Sequence, residues 1–138
     1  MKTNYCKLIM MFCLILLSIS GNSQNSLYLS YQPCDAGLGL RYDKEFNRAG
    51  FYSSVTKGNY RFNDDYVKDH YKASAGLIYD KMTIGLSYHK YGESKGEFMK
   101  LSPMSIEIGA KASFKWFVCA LRFDPVKGEG TWDFGINF

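Results

Sequence analysis

The stretch Gly130-Thr131-Trp132-Asp133-Phe134-Gly135-Ile136-Asn137-Phe138 decides the fold. Trp132, Phe134, Ile136 and Phe138 alternate with Thr131, Asp133, Gly135 and Asn137. A period of two places the large apolar side chains on one face of an extended strand and the small or polar ones on the other. Such a strand is built to meet an apolar environment on one side only.

Working back along the chain, the same alternation recurs at 26–32, 37–43, 50–56, 71–79, 82–91, 104–114 and 117–123, which with 130–138 predicts eight strands. Leu27, Leu29 and Tyr31 oppose Tyr28, Ser30 and Gln32; Met82, Ile84, Leu86 and Tyr88 oppose Thr83, Gly85, Ser87 and His89. Pro33-Cys34-Asp35 breaks the first pair, 44–49 reads as a polar connection, and 57–70 and 92–103 read as long loops. Asp80-Lys81 and Lys115-Trp116 read as two-residue turns. Residues flanking such a turn pair directly and share a face. Tyr79 therefore meets Met82, and Phe114 meets Phe117, apolar against apolar. The same register sets Lys72 opposite His89, Ser74 opposite Ser87 and Gly109 opposite Arg122. No segment of the exported part carries a capped helical period. Aromatic residues at 17%, thirteen Gly and three Pro fit an all-β chain.

In an even-stranded barrel with both ends on one side, short turns follow even strands and long loops follow odd ones. The two tight turns follow the fourth and sixth strands, and the two long loops follow the third and fifth. The 44–49 connection is longer than this rule asks, and the break after the first strand is shorter.

Alternation leaves two readings open. In a lipocalin-like secreted binder the apolar face looks inward onto an apolar ligand; in a membrane barrel it looks out to lipid. The polar face is rich in small residues, among them Gly37, Gly39, Ser74, Gly76, Gly85 and Gly109, which suits a cramped polar lumen. Aromatics gather near strand ends, as at Tyr31, Tyr71, Tyr79, Tyr88 and Phe114. These features favour an eight-stranded antiparallel up-and-down transmembrane β-barrel. Arg41, Asp43, Lys72, Glu107, Lys111, Arg122 and Asp133 are then lumen charges, with Glu107 a diagonal neighbour of Arg122. Eight strands enclose only enough room for side chains, so the lumen is expected to be plugged by its own charges.

On Gly130–Phe138 the chain resembles the small eight-stranded outer-membrane barrels of Gram-negative bacteria, such as the membrane domain of outer-membrane protein A and its loop-only relatives. Asp133 stands where that terminal pattern often has Gly. The resemblance implies an outer-membrane location, a monomer, and a terminal strand whose Trp132, Phe134, Ile136 and Phe138 the barrel-assembly machinery reads. It also implies a role as anchor, adhesin or lipid-modifying enzyme, without choosing among them.

The amino end agrees with export. Lys2 and Lys7 precede an apolar run over 8–17 and then small residues, the order of a secretory signal peptide over 1–23, with the barrel at 24–138. Without Lys2 and Lys7 the 17 basic residues become 15 against 13 acidic, and the formal charge falls from +4 to +2. No basic stripe for nucleic acid is present. Cys34 and Cys119 are expected as unpaired thiols.

No zinc spacing, phosphate loop or dinucleotide fingerprint occurs, so no metal or cofactor is expected. Ser87, His89 and Glu93 hold the residue types of an acyl-transfer site and carry the enzyme alternative, a lipid-A-modifying barrel. Their bland reading is a set of hydrogen-bonded lumen groups. Tyr60, Phe62 and Tyr66 in 57–70, and Phe98 and Met99 in 92–103, are the candidate contacts for an extracellular ligand or protein.

Overall fold

The computed structural model of the chain describes residues 23–33, 36–62, 65–92 and 102–138. Eight strands, β1 (Ser23–Gln32), β2 (Gly37–Phe46), β3 (Ala49–Phe62), β4 (Asp65–Tyr79), β5 (Met82–Lys90), β6 (Met104–Phe114), β7 (Phe117–Asp124) and β8 (Glu129–Asn137), form one closed antiparallel barrel in sequence order. β8 returns to β1, with Leu29 opposite Phe134 and Tyr31 opposite Trp132. No helix occurs among the described residues.

Closure turns the period of two into an inside and an outside. Leu29, Leu40, Leu77, Ile84 and Phe134 all lie on the outer surface, about half exposed or more, whereas their strand neighbours Ser30, Arg41, Ile78, Thr83 and Asp133 are buried. The expected pairings hold: Tyr79 with Met82, Lys72 with His89, Ser74 with Ser87, Phe114 with Phe117 and Gly109 with Arg122.

Two predicted connections are strand instead. Lys44, Glu45 and Phe46 continue β2, and the connection shrinks to the turn Asn47-Arg48. The connections after β2, β4 and β6 are thus all two residues long, and the departure from the turn rule at 44–49 disappears. Asn47, Asp80 and Lys115 open these three turns with φ of 59°, 55° and 53°. The predicted loop 57–70 is likewise mostly paired backbone, with β3 and β4 running together to Phe62 opposite Asp65. An extra residue on β4 breaks the register between Gly58 and Tyr60, beside Asp69 at φ 61°, in the manner of a β-bulge. The apolar alternation stops at Val55 and Tyr71, while main-chain pairing continues, because ladder bonds need no apolar face. β1 also starts earlier than expected, at Ser23, and Tyr91 lies just past the end of β5. Residues 1–22 and Cys34 lie outside the described residues, and Cys119 is a free thiol on β7.

Small residues make room for the large lumen side chains. A Cβ at Gly76 would stand 2.6 Å from Cε1 of the Tyr52 ring and closer still to the Ile84 carbonyl oxygen, whereas a Cβ at Gly130 meets nothing within 4 Å. Gly76→Ala is therefore expected to lower the unfolding free energy by about 1–3 kcal/mol through overpacking. Gly130→Ala is expected to stay within about 0.5 kcal/mol of the parent chain. Urea unfolding of the folded barrel measures both; equal effects would reject the Tyr52 seat.

Candidate functional site

The lumen is lined mainly by polar side chains, with Ile78, Val118 and Ala120 among them, and the polar ones fall into two layers. The deeper layer is an ion-pair network around Asp133 of β8. Arg122 donates to that carboxylate through Nε and Nη2 at 2.7 and 2.9 Å, and Arg41 through Nη1 at 2.9 Å. Arg41 also grips Asp43 with Nε and Nη2 at 2.6 and 3.0 Å. Its guanidinium carbon lies 4.9 Å and 4.7 Å from the ring centres of Tyr28 and Tyr52. Glu107 accepts from Arg122 Nη1 at 3.0 Å and from the Tyr52 hydroxyl at 3.1 Å, and Lys72 Nζ lies 2.5 Å from its other oxygen. Lys111 pairs with Glu45 and, at 3.3 Å, with Asp43.

All seven lumen charges read from the sequence lie in this network, and Glu45 joins them. None is more than 9% exposed. An ion taken out of water at that depth costs several kcal/mol unless it is paired. Here Arg41, Lys72, Lys111 and Arg122 meet Asp43, Glu45, Glu107 and Asp133, so each charge has an opposite one in contact.

The second layer sits at the rim where β4, β6 and β8 begin and β5 and β7 end. Asp124, the last residue of β7, is its anchor. Its Oδ1 accepts the backbone N–H groups of Val126 and Lys127 at 3.0 and 2.9 Å. Its Oδ2 accepts from the Ser105 hydroxyl and, at 3.3 Å, from that of Ser87, and lies 3.3 Å from His89 Nε2. Ser87 and Ser105 each stand 3.1 Å from the same ring nitrogen. The other nitrogen of His89, Nδ1, lies 3.0 Å from Nε2 of His70 on β4. The two imidazole planes are within 8° of one another, and the Tyr91 ring lies nearly parallel, 4.9 Å from His70. Glu129 on β8 completes the group: donor atoms of His70, His89 and Glu129 lie within 4.8 Å of one another, and all three residues are buried. Gln32 Nε2 donates to Glu129 Oε2 at 3.1 Å. Above them Lys127 hydrogen-bonds the Ser102 carbonyl at 2.6 Å. Burial holds its ammonium below the usual lysine range, against the pull of Asp124 and Glu129.

This layer differs from a nucleophile–base relay. In a Ser–His–Asp triad the imidazole gives one nitrogen to the serine and the other to the carboxylate. Here Ser87, Ser105 and Asp124 gather at a single nitrogen. Ser87 and His89 are each 1% exposed on the lumen side. Glu93 lies outside the described residues.

Sequence reasoning places His70, Glu129, Asp124 and Glu45 in connections; of these only His70 draws a metal reading there, with Asn63, Asp64, Asp65 and Asp69, and without the spacing of a calcium loop that run reads as a solvated loop. One more step of the period would have found them. Glu45 follows Arg41 and Asp43, Asp124 follows Arg122, and His70 and Glu129 precede Lys72 and Thr131, always two residues apart. Trp132, Phe134, Ile136 and Phe138 face outward, between 47% and 59% exposed. Tyr60, Phe62 and Tyr66 lie on the paired β3–β4 extension, not in an open loop, and their side chains are outside the described set, as are Phe98 and Met99.

Compared with known proteins, the chain matches no family model, no curated protein and no solved structure.

Removing one member of a buried charge pair strands the other. Glu107→Ala is expected to cost about 3–5 kcal/mol, and in a double-mutant cycle with Arg122→Ala the losses should depart from additivity by about 0.5–3 kcal/mol. Additive losses in chemical unfolding would reject the pair.

Proposed function

We propose that this chain is a small outer-membrane β-barrel of a Gram-negative bacterium, a non-catalytic monomer with a closed lumen, whose 57–70 hairpin and 92–103 segment form the extracellular recognition edge. The observation that carries this reading is the inverted polarity of the barrel. Charges and hydroxyls fill the inside, and an apolar belt covers the outside. Soluble monomers rarely expose a contiguous apolar patch beyond a few hundred Å². Here the belt runs round the whole barrel, with Tyr79, Phe114, Trp116 and Phe138 near the short-turn rim and Tyr31, Tyr71 and Tyr88 near the other. That distribution supports aromatic girdles flanking an aliphatic band at two membrane interfaces.

An eight-stranded barrel by itself serves a secreted binder equally well. A lipocalin-like binder, however, requires an apolar interior, and the described interior is occupied by ion pairs. A lipid-A-modifying enzyme would draw on Ser87 and His89, which face the lumen, away from where lipid would stand. Export by the 1–23 segment and recognition of the terminal strand by the barrel-assembly machinery belong to the same proposal.

Carbonate-washed membrane fractions test the location: the chain is expected in the outer-membrane pellet, and recovery from the soluble periplasm or medium would overturn it. In planar bilayers the purified barrel is expected to show no steady conductance, because the Asp133 network fills its cross-section; ion-selective currents would refute the plug.

Phe138 bears on assembly. Its main chain exchanges hydrogen bonds with Asn25 of β1, at 2.9 and 3.2 Å, so it takes part in barrel closure. Deleting Phe138 is expected to lower the yield of the folded, heat-modifiable form while leaving export intact. An unchanged folded yield would argue against the terminal-strand signal.

A further inference from the structure

The sequence contains two histidines, His70 and His89, and the fold brings them nitrogen to nitrogen at 3.0 Å inside the barrel. The geometry points to a divalent transition-metal site at the lumen mouth, with His70 Nε2, His89 Nδ1 and the Glu129 carboxylate as ligands and Zn2+ as the matching ion.

Three features carry it. The first is donor chemistry. Two imidazoles and one carboxylate form a familiar zinc set that leaves a fourth position for water. A tetrahedral ion with Zn–N bonds of about 2.0–2.1 Å holds neighbouring donor nitrogens roughly 3.3–3.4 Å apart; the two nitrogens here lie 3.0 Å apart and face each other, so binding turns both rings a little, from each other toward the ion. In the metal-free state one ring donates a hydrogen bond to the other. A bound ion takes the place of that proton, with His70 passing to its Nδ1–H tautomer, and draws in the Glu129 carboxylate, whose donor atom already lies within 4.8 Å of both rings.

The second is the support behind the ligands. A metal-binding histidine usually donates its other ring N–H to a carboxylate, which fixes the tautomer and leaves the opposite nitrogen bare. His89 Nε2 lies 3.3 Å from Asp124 Oδ2. Asp124 is held in turn by Ser105, Ser87 and two backbone N–H groups. His89 Nδ1 is thereby presented to His70. Gln32 orients Glu129 through its hydrogen bond, and the Tyr91 ring lies against both imidazoles.

The third is charge. The mouth brings two carboxylates, Asp124 and Glu129, up to the paired imidazoles, and a divalent cation held there complements both. The ligands come from β4, β5 and β8, so the ion would tie together strands that are not all neighbours. The site lies in the lumen whatever solvent surrounds the barrel.

The test is calorimetric titration of ZnCl2 into the tag-free, EDTA-stripped folded barrel, with folding of every variant checked by heat-modified gel mobility. One equivalent is expected to bind, unaffected by excess Mg2+ or Ca2+. His70→Ala and Glu129→Gln should each weaken it by roughly 100-fold or more, and Asp124→Asn, a positioning change, by roughly 10–100-fold. X-ray absorption of the zinc-loaded parent protein should show two imidazoles per ion, which decides the matter even where a variant fails to fold. No binding by the parent, undiminished binding by folded His70→Ala, or a zinc spectrum without paired imidazoles would overturn the site.

Discussion

The structure depends on the need to neutralise every charge inside a barrel too narrow for bulk water. Asp133 meets that need at the centre, receiving both arginines at 2.7–2.9 Å while Ser30 donates to it at 2.5 Å. Such a network is weak evidence of net stability, since well-packed apolar residues often do as well. What it confers is a single register. A slip of one residue in β8 would turn Asp133 outward into the apolar belt and leave two guanidinium groups buried without it. The aromatic rings of Tyr28 and Tyr52 belong to the same constraint, because they flank Arg41 and deliver hydroxyls to Asp43 and Glu107.

The mouth layer obeys a different economy. Its acidic anchor, Asp124, is satisfied by hydroxyls, backbone N–H groups and an imidazole instead of a basic side chain. That arrangement holds His89 in one orientation and turns its free edge toward His70. The strand framework beneath sets Lys72 directly opposite His89. The short turn at 125–128 contributes through its main chain, since Val126 and Lys127 donate to Asp124.

Much of this was legible in the residues. The alternation in 104–114 marked β6 to its ends, and the turns at Asp80-Lys81 and Lys115-Trp116 set the registers that pair Lys72 with His89 and Gly109 with Arg122 respectively. Because side chains alternate with period two, those turns also placed Glu107 beside Arg122 before any coordinates. Strand ends were less legible. Lys44–Phe46 and the 57–70 hairpin carry little apolar signal, yet their backbones pair, since ladder hydrogen bonds form regardless of side chain.

The sequence by itself determined eight alternating strands, their order, two of their short turns and seven of the charges on the polar face. Local periodicity and turn chemistry act over a few residues, so they can be read there. Only the tertiary structure decided which charges meet across the lumen. Arg41 of β2 reaches Asp133 of β8, and Lys111 of β6 reaches Asp43 and Glu45 of β2. Closure likewise decided that His70, His89 and Glu129 share one mouth. The physical reason is that a closed sheet brings together side chains from non-adjacent strands at distances set by barrel radius and strand stagger, quantities that no single strand encodes.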